Sequence, residues 1–400
     1  MDPRTVDVYA GGAAAYRARR RAYQPERAAS FAARLPAGAV RLDLGSGPGH
    51  YAPHLGRPLV AADPALAMVT EAVAGAPDVL GLVADAAALP VRRGALAGVW
   101  ASKSLQHLVA EHLPLALAEI HGALAVGGVL DVTVFDRSRA TRAGETGQAG
   151  PGPTTAATGG APGATTGPAV PAGEAPVAEV TGDDDDFPGR LFTFWPPHLL
   201  ERLLVGAGFD VEQAEAAPAG DGGAVHRVLA RATRARTLSD TVGPGMRLLV
   251  CGLNPSLYAA DVGIGYARPG NRFWPAALAA GLVTVDRDPR HALRHHGLGM
   301  TDVVKRATVG AAELTPAEYR AGLDRVRWLV GWLRPRAICF VGLAGWRTAV
   351  DRRAGPGVQP VALAGVPAYV MPSTSGLNAH ASATDLAAHL RAAAALADGA

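Results

Sequence analysis

Apolar runs of strand length occupy residues 40–44, 59–62, 79–84, 98–101 and 129–135, separated by Ala-, Leu- and Arg-rich stretches of helical character. An Arg/Ala-rich helical stretch at 7–34 precedes them. Strands alternating with helices predict a parallel α/β sheet. The pattern lapses and then returns with Phe192-Thr193-Phe194-Trp195, a helix near 197–207, and strands at 209–213 and 227–230. A second series of runs includes Leu248-Leu249-Val250-Cys251 and Ala368-Tyr369-Val370, again with helical stretches between. The predicted fold class is α/β, with two sheets.

In the lapse before Phe192 lie residues 141–186, reduced to Gly, Pro, Ala and Thr and ending in Asp183-Asp184-Asp185-Asp186. Such a composition offers too little apolar surface to offset ordering entropy, so disorder is expected. The 40 or so residues after it are short for an independent core. They are therefore assigned to the first domain, giving a first domain of 1–140 and 187–235 interrupted by the insert. A second linker, 233–244, leads into a second domain of 243–396. Four hundred residues suffice for both cores.

No apolar run reaches the about 20 residues of a membrane span. Met1-Asp2-Pro3-Arg4 is followed by polar and charged residues, not by a signal segment, so a cytoplasmic protein with no membrane partner is expected. The cysteines are Cys251 and Cys339 alone. Two thiolates exclude a four-cysteine iron–sulfur cluster and argue against a zinc site, so no metal is expected. The net charge of +3 conceals a division: residues 243–400 hold 17 Lys and Arg against 10 Asp and Glu (+7), leaving 21 against 25 (−4) elsewhere. A polyanionic partner suits the second domain.

In the first domain, Leu42-Asp43-Leu44-Gly45-Ser46-Gly47-Pro48-Gly49 stands at a strand-to-helix turn, where glycines let backbone approach a ligand closely. Asp63 ends the next strand, about 20 residues on, where an acid can accept from ribose hydroxyls. A nicotinamide-binding turn would want Gly at position 50, which is His50. The spacing of Asp43, Gly45, Gly47 and Gly49 resembles class I S-adenosylmethionine-dependent methyltransferases. That resemblance implies a Rossmann-like sheet, S-adenosylmethionine as cofactor, and Asp85 as the adenine-side acid. The segment 100–108 matches the end of the family's fourth strand. His50 and His107 are candidate bases or ordinary packed histidines. The methyl acceptor stays unknown, and no Asn/Asp-Pro-Pro-aromatic nucleobase motif follows the fourth strand.

In the second domain two loops follow strands: Gly252-Leu253-Asn254-Pro255-Ser256 and Met371-Pro372-Ser373-Thr374-Ser375-Gly376-Leu377-Asn378. Together with 266–274, 297–302 and 334–337, they resemble the mismatch-specific uracil/thymine DNA glycosylases of the uracil-DNA glycosylase superfamily. The resemblance implies a three-layer α/β/α domain acting without a cofactor on double-stranded DNA that contains uracil or mismatched bases. Asn254 would orient the attacking water, or else merely form an Asx turn before Pro255. Gly252, Leu253, Tyr266 and Asn271 would line the base pocket, with Tyr266 as stacking platform or as a plain core tyrosine. Ser373, Ser375, Gly376 and Asn378 would hold DNA, and Leu377 would wedge into the gap left by the extruded nucleotide. Lys103 and Lys305 are the chain's lysines and neither lies in these loops, so a hydrolytic, monofunctional enzyme is expected rather than a lyase. The Met-Pro-Ser-x-Ser opening matches thymine-processing members and Gly376-Leu377 the uracil-specific ones, leaving the excised base open. An alternative assigns catalysis to the methyltransferase and makes the second domain a DNA-binding tether.

Overall fold

The computed structural model describes residues 1–137, 175–217 and 225–399. Most of the expected disordered insert, 141–174, lies outside the described residues. The first sheet contains β1 (Arg41–Leu44), β2 (Leu59–Asp63), β3 (Leu80–Val83), β4 (Leu96–Ser102), β5 (Leu124–Asp136), β6 (Val177–Val180), β7 (Leu191–Phe194), β8 (Phe209–Ala217) and β9 (His226–Arg234). Its path is β3-β2-β1-β4-β5-β7-β6, with β9 antiparallel to β5 and β8 antiparallel to β9. β1 has parallel neighbours β2 and β4 on its two sides. The chain therefore reverses its winding beside β1, the place where open α/β sheets leave a crevice for ligands.

The insert ends earlier than its composition suggests. Val177–Val180 pairs antiparallel with β7, and Asp185 meets the buried Arg190 guanidinium at 2.5 Å. Order returns there because backbone pairing and an ion pair replace the missing apolar burial.

The second sheet contains β10 (Leu248–Gly252), β11 (Leu298–Asp302), β12 (Ala337–Val341), β13 (Gly357–Val358) and β14 (Ala368–Met371), in the order β11-β10-β12-β14-β13. All pairings except β13–β14 are parallel. β10 and β12 are buried along their whole length, as strands covered on both faces must be. Alternate residues face opposite layers. Leu248, Val250, Cys339 and Met371 pack with the helices Phe273–Ala279 and Ala383–Asp398. Leu249, Cys251, Phe340 and Val370 join the cluster holding Val326, Leu329 and Val330 of the helix Pro316–Leu333. This is a three-layer α/β/α unit.

The expected second linker is instead built into the packing. Thr241 bridges to Met300. The Asp240 carboxylate receives Lys305 Nζ at 2.9 Å, Arg325 at 2.5 Å and the Thr301 hydroxyl at 2.6 Å. Paired in this way, a buried carboxylate fixes its segment in place instead of leaving a loose tether. Across the same junction Trp195 meets Trp332 edge-on at 6.0 Å, and Arg93 donates to the Ala260 carbonyl at 2.8 Å. Among the described residues no helix is long and apolar enough to cross a membrane.

Candidate functional sites

The carboxyl ends of β10, β11, β12 and β14 open onto one cleft of about 230 Å³. Both loops singled out from sequence line it: Gly252, Leu253 and Asn254 from the first, Ser373 and Ser375 from the second, with Tyr266 and Asn271 between. Gly376, Leu377 and Asn378 complete the second loop beyond the lining.

Asn254 has a defined orientation. Its Nδ2 donates to the Arg306 carbonyl at 3.0 Å and to Thr308 Oγ1 at 2.7 Å. Thr308 in turn donates its own proton to the Gly310 carbonyl at 3.0 Å, so its hydroxyl can only accept from Asn254. The amide nitrogen is thereby held, and Oδ1 remains as an acceptor in the cleft wall. An isolated Asx turn would not need this set of partners.

Gly252 sits opposite Asp302 in the β10–β11 register. A Cβ at Gly252 would lie 2.2 Å from Asp302 Oδ1 and 2.9 Å from the Tyr266 hydroxyl. Glycine therefore creates the space that lets these two groups converge. Burial raises the Asp302 carboxyl to about 6, outweighing the opposing effect of Lys305 and Arg325. Burial also pushes the Tyr266 phenol well above its ordinary value, with Asp302 adding to the shift. The Tyr266 ring lies on Phe273 at 4.3 Å and 22°, so one face is already stacked within the protein. Asn271 Oδ1 accepts from the Phe273 amide at 2.9 Å, placing that side chain at the entry to the helix Phe273–Ala279.

The second loop is self-bracing. Ser373 Oγ accepts from the Ser375 amide at 3.2 Å, Ser375 Oγ from the Leu377 amide at 3.3 Å, and Asn378 Nδ2 donates to the Ser373 carbonyl at 2.8 Å. Arg272 clamps it from outside, donating to the carbonyls of Ser375 at 3.0 Å, Asn378 at 2.6 Å and Ala381. A Cβ at Gly376 would stand 2.8 Å from the Gly270 carbonyl, so this loop and 266–274 are in direct contact. Leu377 is left 89% exposed, although apolar.

Three residues here were not assigned roles from sequence. Asp302 carried a signal, an acid at a strand's carboxyl end, but required the register with Gly252 to gain meaning. Arg272 looked like a generic cation, and its carbonyl partners lie more than 100 positions away. Val309, 74% exposed on the cleft rim, resembles any loop valine in sequence. Lys305 is engaged by Asp240, outside this cleft.

A second site lies at the switch point of the first sheet. Gly45, Gly47 and Gly49 all have positive φ, and a Cβ at Gly45 would strike Ser104 Cβ at 2.1 Å. Asp63 accepts from the Gly47 amide at 3.0 Å and the Ala65 amide at 2.9 Å, and burial raises it to about 6. Asp43 is fully buried, raised to about 8 by burial and then by Asp63, and its Oδ2 has no partner. Asp85 accepts from the Ala87 amide at 2.8 Å and pairs with the Met1 ammonium. Met1, Tyr9 and Tyr16 line this cleft together with Gly45, Gly47 and Asp63, and reduce it to about 50 Å³. His107 is fully enclosed: Nδ1 donates to the Leu191 carbonyl at 2.6 Å, Nε2 meets the Tyr9 hydroxyl at 2.9 Å, and burial lowers it to about 4. It is the packed histidine rather than a free base. His50 lies beside Tyr16, at 6.2 Å between rings.

Residues 240–397 match the model of the uracil DNA glycosylase superfamily, and residues 42–132 match that of a methyltransferase domain. Among solved structures, the chain is similar to the 1,6-didemethyltoxoflavin-N1-methyltransferase of Burkholderia thailandensis, determined with 1,6-didemethyltoxoflavin and S-adenosylhomocysteine bound. That pair shares 18% identity over 57% of this chain and 87% of that one, at a TM-score of 0.36. S-adenosylmethionine-dependent methyltransferases from Clostridium acetobutylicum (13% identity, 57% and 99% covered, TM-score 0.38) and Mesorhizobium loti (16%, 51% and 96%, 0.34) are also similar.

Proposed function

With a uracil DNA glycosylase superfamily domain and a methyltransferase domain present in one chain, we propose that the former is a monofunctional DNA glycosylase. It removes uracil, foremost opposite guanine, from an extruded nucleotide, with thymine or modified pyrimidines as further substrates. The observation that carries this reading is the Asn254 amide in the cleft lining, its nitrogen engaged by the Pro255 and Arg306 carbonyls and Thr308 so that Oδ1 is left to accept. A water donating to Oδ1 is held for attack on C1′. Its oxygen bonds to C1′ as the C1′–N1 bond breaks, the bonding pair leaves on the base, and the water's proton passes to solvent or to the departing base. A delocalised base anion is a tolerable leaving group when hydrogen-bond donors meet it. Asp302, neutral below about pH 6, can donate one hydrogen bond to a carbonyl of the base and accept one from its ring N–H. Leu377 fills the vacated stack, held at the duplex by the Arg272 clamp.

The first domain would hold S-adenosylmethionine, and its residues fit that group. The positive-φ glycine turn would offer backbone to the methionyl part, Asp63 would hold the ribose, and Asp85, which here pairs with the Met1 ammonium outside the cleft lining, would take the adenine side. The unpartnered Asp43 oxygen is a further polar group available beneath the turn. When bound, the cofactor supplies an electrophilic methyl group. The first helix, Pro3–Arg19, roofs the cleft through Tyr9 and Tyr16.

A duplex panel with uracil, thymine or an etheno adduct opposite guanine tests the glycosylase reading. Strand cleavage after alkali on the uracil duplex, and none without alkali, is expected. An intact uracil duplex after both treatments would leave the domain as a DNA tether.

A further inference from the structure

Lys103 follows β4, its backbone in the left-handed region at φ 58° and its amide bonded to the Thr133 carbonyl at 2.8 Å. At this strained position Lys103 is part of the lining of the cleft that Gly45, Gly47 and Asp63 also line. Lys103 Nζ stands 5.7 Å from the centre of the Tyr23 ring, and the Arg227 guanidinium carbon stands 4.0 Å from the same centre. The ring is firmly placed. The Tyr51 hydroxyl bonds to both the amide and the carbonyl of Tyr23, and to Ser102 Oγ at 2.9 Å.

Among the described residues, neither cation has a carboxylate partner. The acids of this region are engaged elsewhere: Asp63, on the same cleft, accepts from the Gly47 and Ala65 amides, while Asp131 pairs with Arg27 and Arg231, Glu71 with Arg17, and Asp186 with Arg20. Arg227 Nε is buried with no hydrogen bond. Burial, then Arg227 and Arg20, lower the Lys103 ammonium to about 8. Two cations gathered at one aromatic ring, without a carboxylate partner, are stabilised by an anion placed beside them.

We propose that Lys103, Arg227 and the Tyr23 ring form the acceptor subsite of the methyltransferase domain, binding a carboxylate or phosphate group of the molecule to be methylated. Their position suggests the role: Lys103 lines the cleft of the glycine turn, and Tyr23 and Arg227 extend from it beyond that lining, Arg227 on β9 opposite Phe135 near the end of β5. The subsite rests on the methyl-donor reading of that turn.

The chain's two lysines make the test direct. Full-length protein carrying ¹⁵N at lysine Nζ gives two signals, with Lys305, held by Asp240, as internal reference. Saturated with S-adenosylhomocysteine, it is titrated with benzoate, phenyl phosphate or neutral benzamide. Either anion should shift the Lys103 signal and raise its pKa from about 8 toward 10.5 by at least about one unit, a tenfold linkage, while Lys305 stays fixed. A response to benzoate alone identifies a carboxylate, to phenyl phosphate alone a phosphate. Arg227→Gln should weaken the response about tenfold. The proposal is overturned if neither anion moves Lys103, if benzamide moves it equally, or if S-adenosylhomocysteine alone produces the whole shift. Calorimetry with S-adenosylhomocysteine separately tests the donor site: no heat there, with an anion response retained, refutes the donor reading and leaves the anion site standing.

Discussion

Replacing Asp302 by Asn should stabilise the second domain at neutral pH and leave it nearly unchanged in acid. The carboxyl lies half-buried in the cleft wall and rises from 3.8 to about 6, with burial as the leading cause. Between pH 4 and 6 the folded state therefore binds more protons than the unfolded one, so stability falls as pH rises through this window. Above about pH 6 the loss is complete, and a shift of this size corresponds to about 3 kcal/mol. Asparagine keeps the shape, removes the charge, and adds an N–H that can approach the Tyr266 hydroxyl. Urea unfolding followed by fluorescence of Trp274 and Trp328, at pH 4 and pH 8, reads the difference. The variant should gain up to about 3 kcal/mol at pH 8 and about zero at pH 4. Equal stability at both pH values, or a loss at pH 8, would refute the claim that Asp302 stands unpaired and desolvated at the cleft.

The same residue should shape activity. Single-turnover excision by the wild type should decline as pH rises above about 6, whereas Asp302→Asn should lose that limb; an unchanged limb in the variant would remove Asp302 from contact with the base. Leu377→Ala should lose about tenfold or more on duplex substrate, from the roughly 1.5–3 kcal/mol of apolar burial a leucine gains, and much less on single-stranded DNA. Gly376→Ala places a Cβ 2.8 Å from the Gly270 carbonyl and should displace the wedge loop, lowering duplex excision with little change in overall folding by circular dichroism.

The strand pattern was legible in sequence because parallel strands buried on both faces are continuous apolar runs. The first four runs correspond to β1–β4 with ends shifted by one or two residues, and the fifth to the latter part of β5. The cleft residues were legible as loop motifs, and the fold gathers Gly252, Leu253, Asn254, Tyr266, Asn271, Ser373 and Ser375 around one space. What composition concealed were long-range partners. Residues 233–244 look like a linker until Asp240 meets Lys305 and Arg325, and 175–186 look disordered until β6 finds β7. Asp302 and Arg272 act through residues distant in sequence, so no local pattern marks them. Tyr266 keeps its place in the cleft, but Phe273 already covers one face of its ring, a limit on stacking that sequence cannot express.

In the proposed reaction Asn254 positions the water that releases the base. Single-turnover release of free uracil from a G:U duplex, measured beside duplex affinity, tests it with wild type and Asn254→Ala. A rate loss of about 100-fold or more, with affinity nearly unchanged, is expected. Equal rates, or a loss wholly explained by weaker binding, would contradict it.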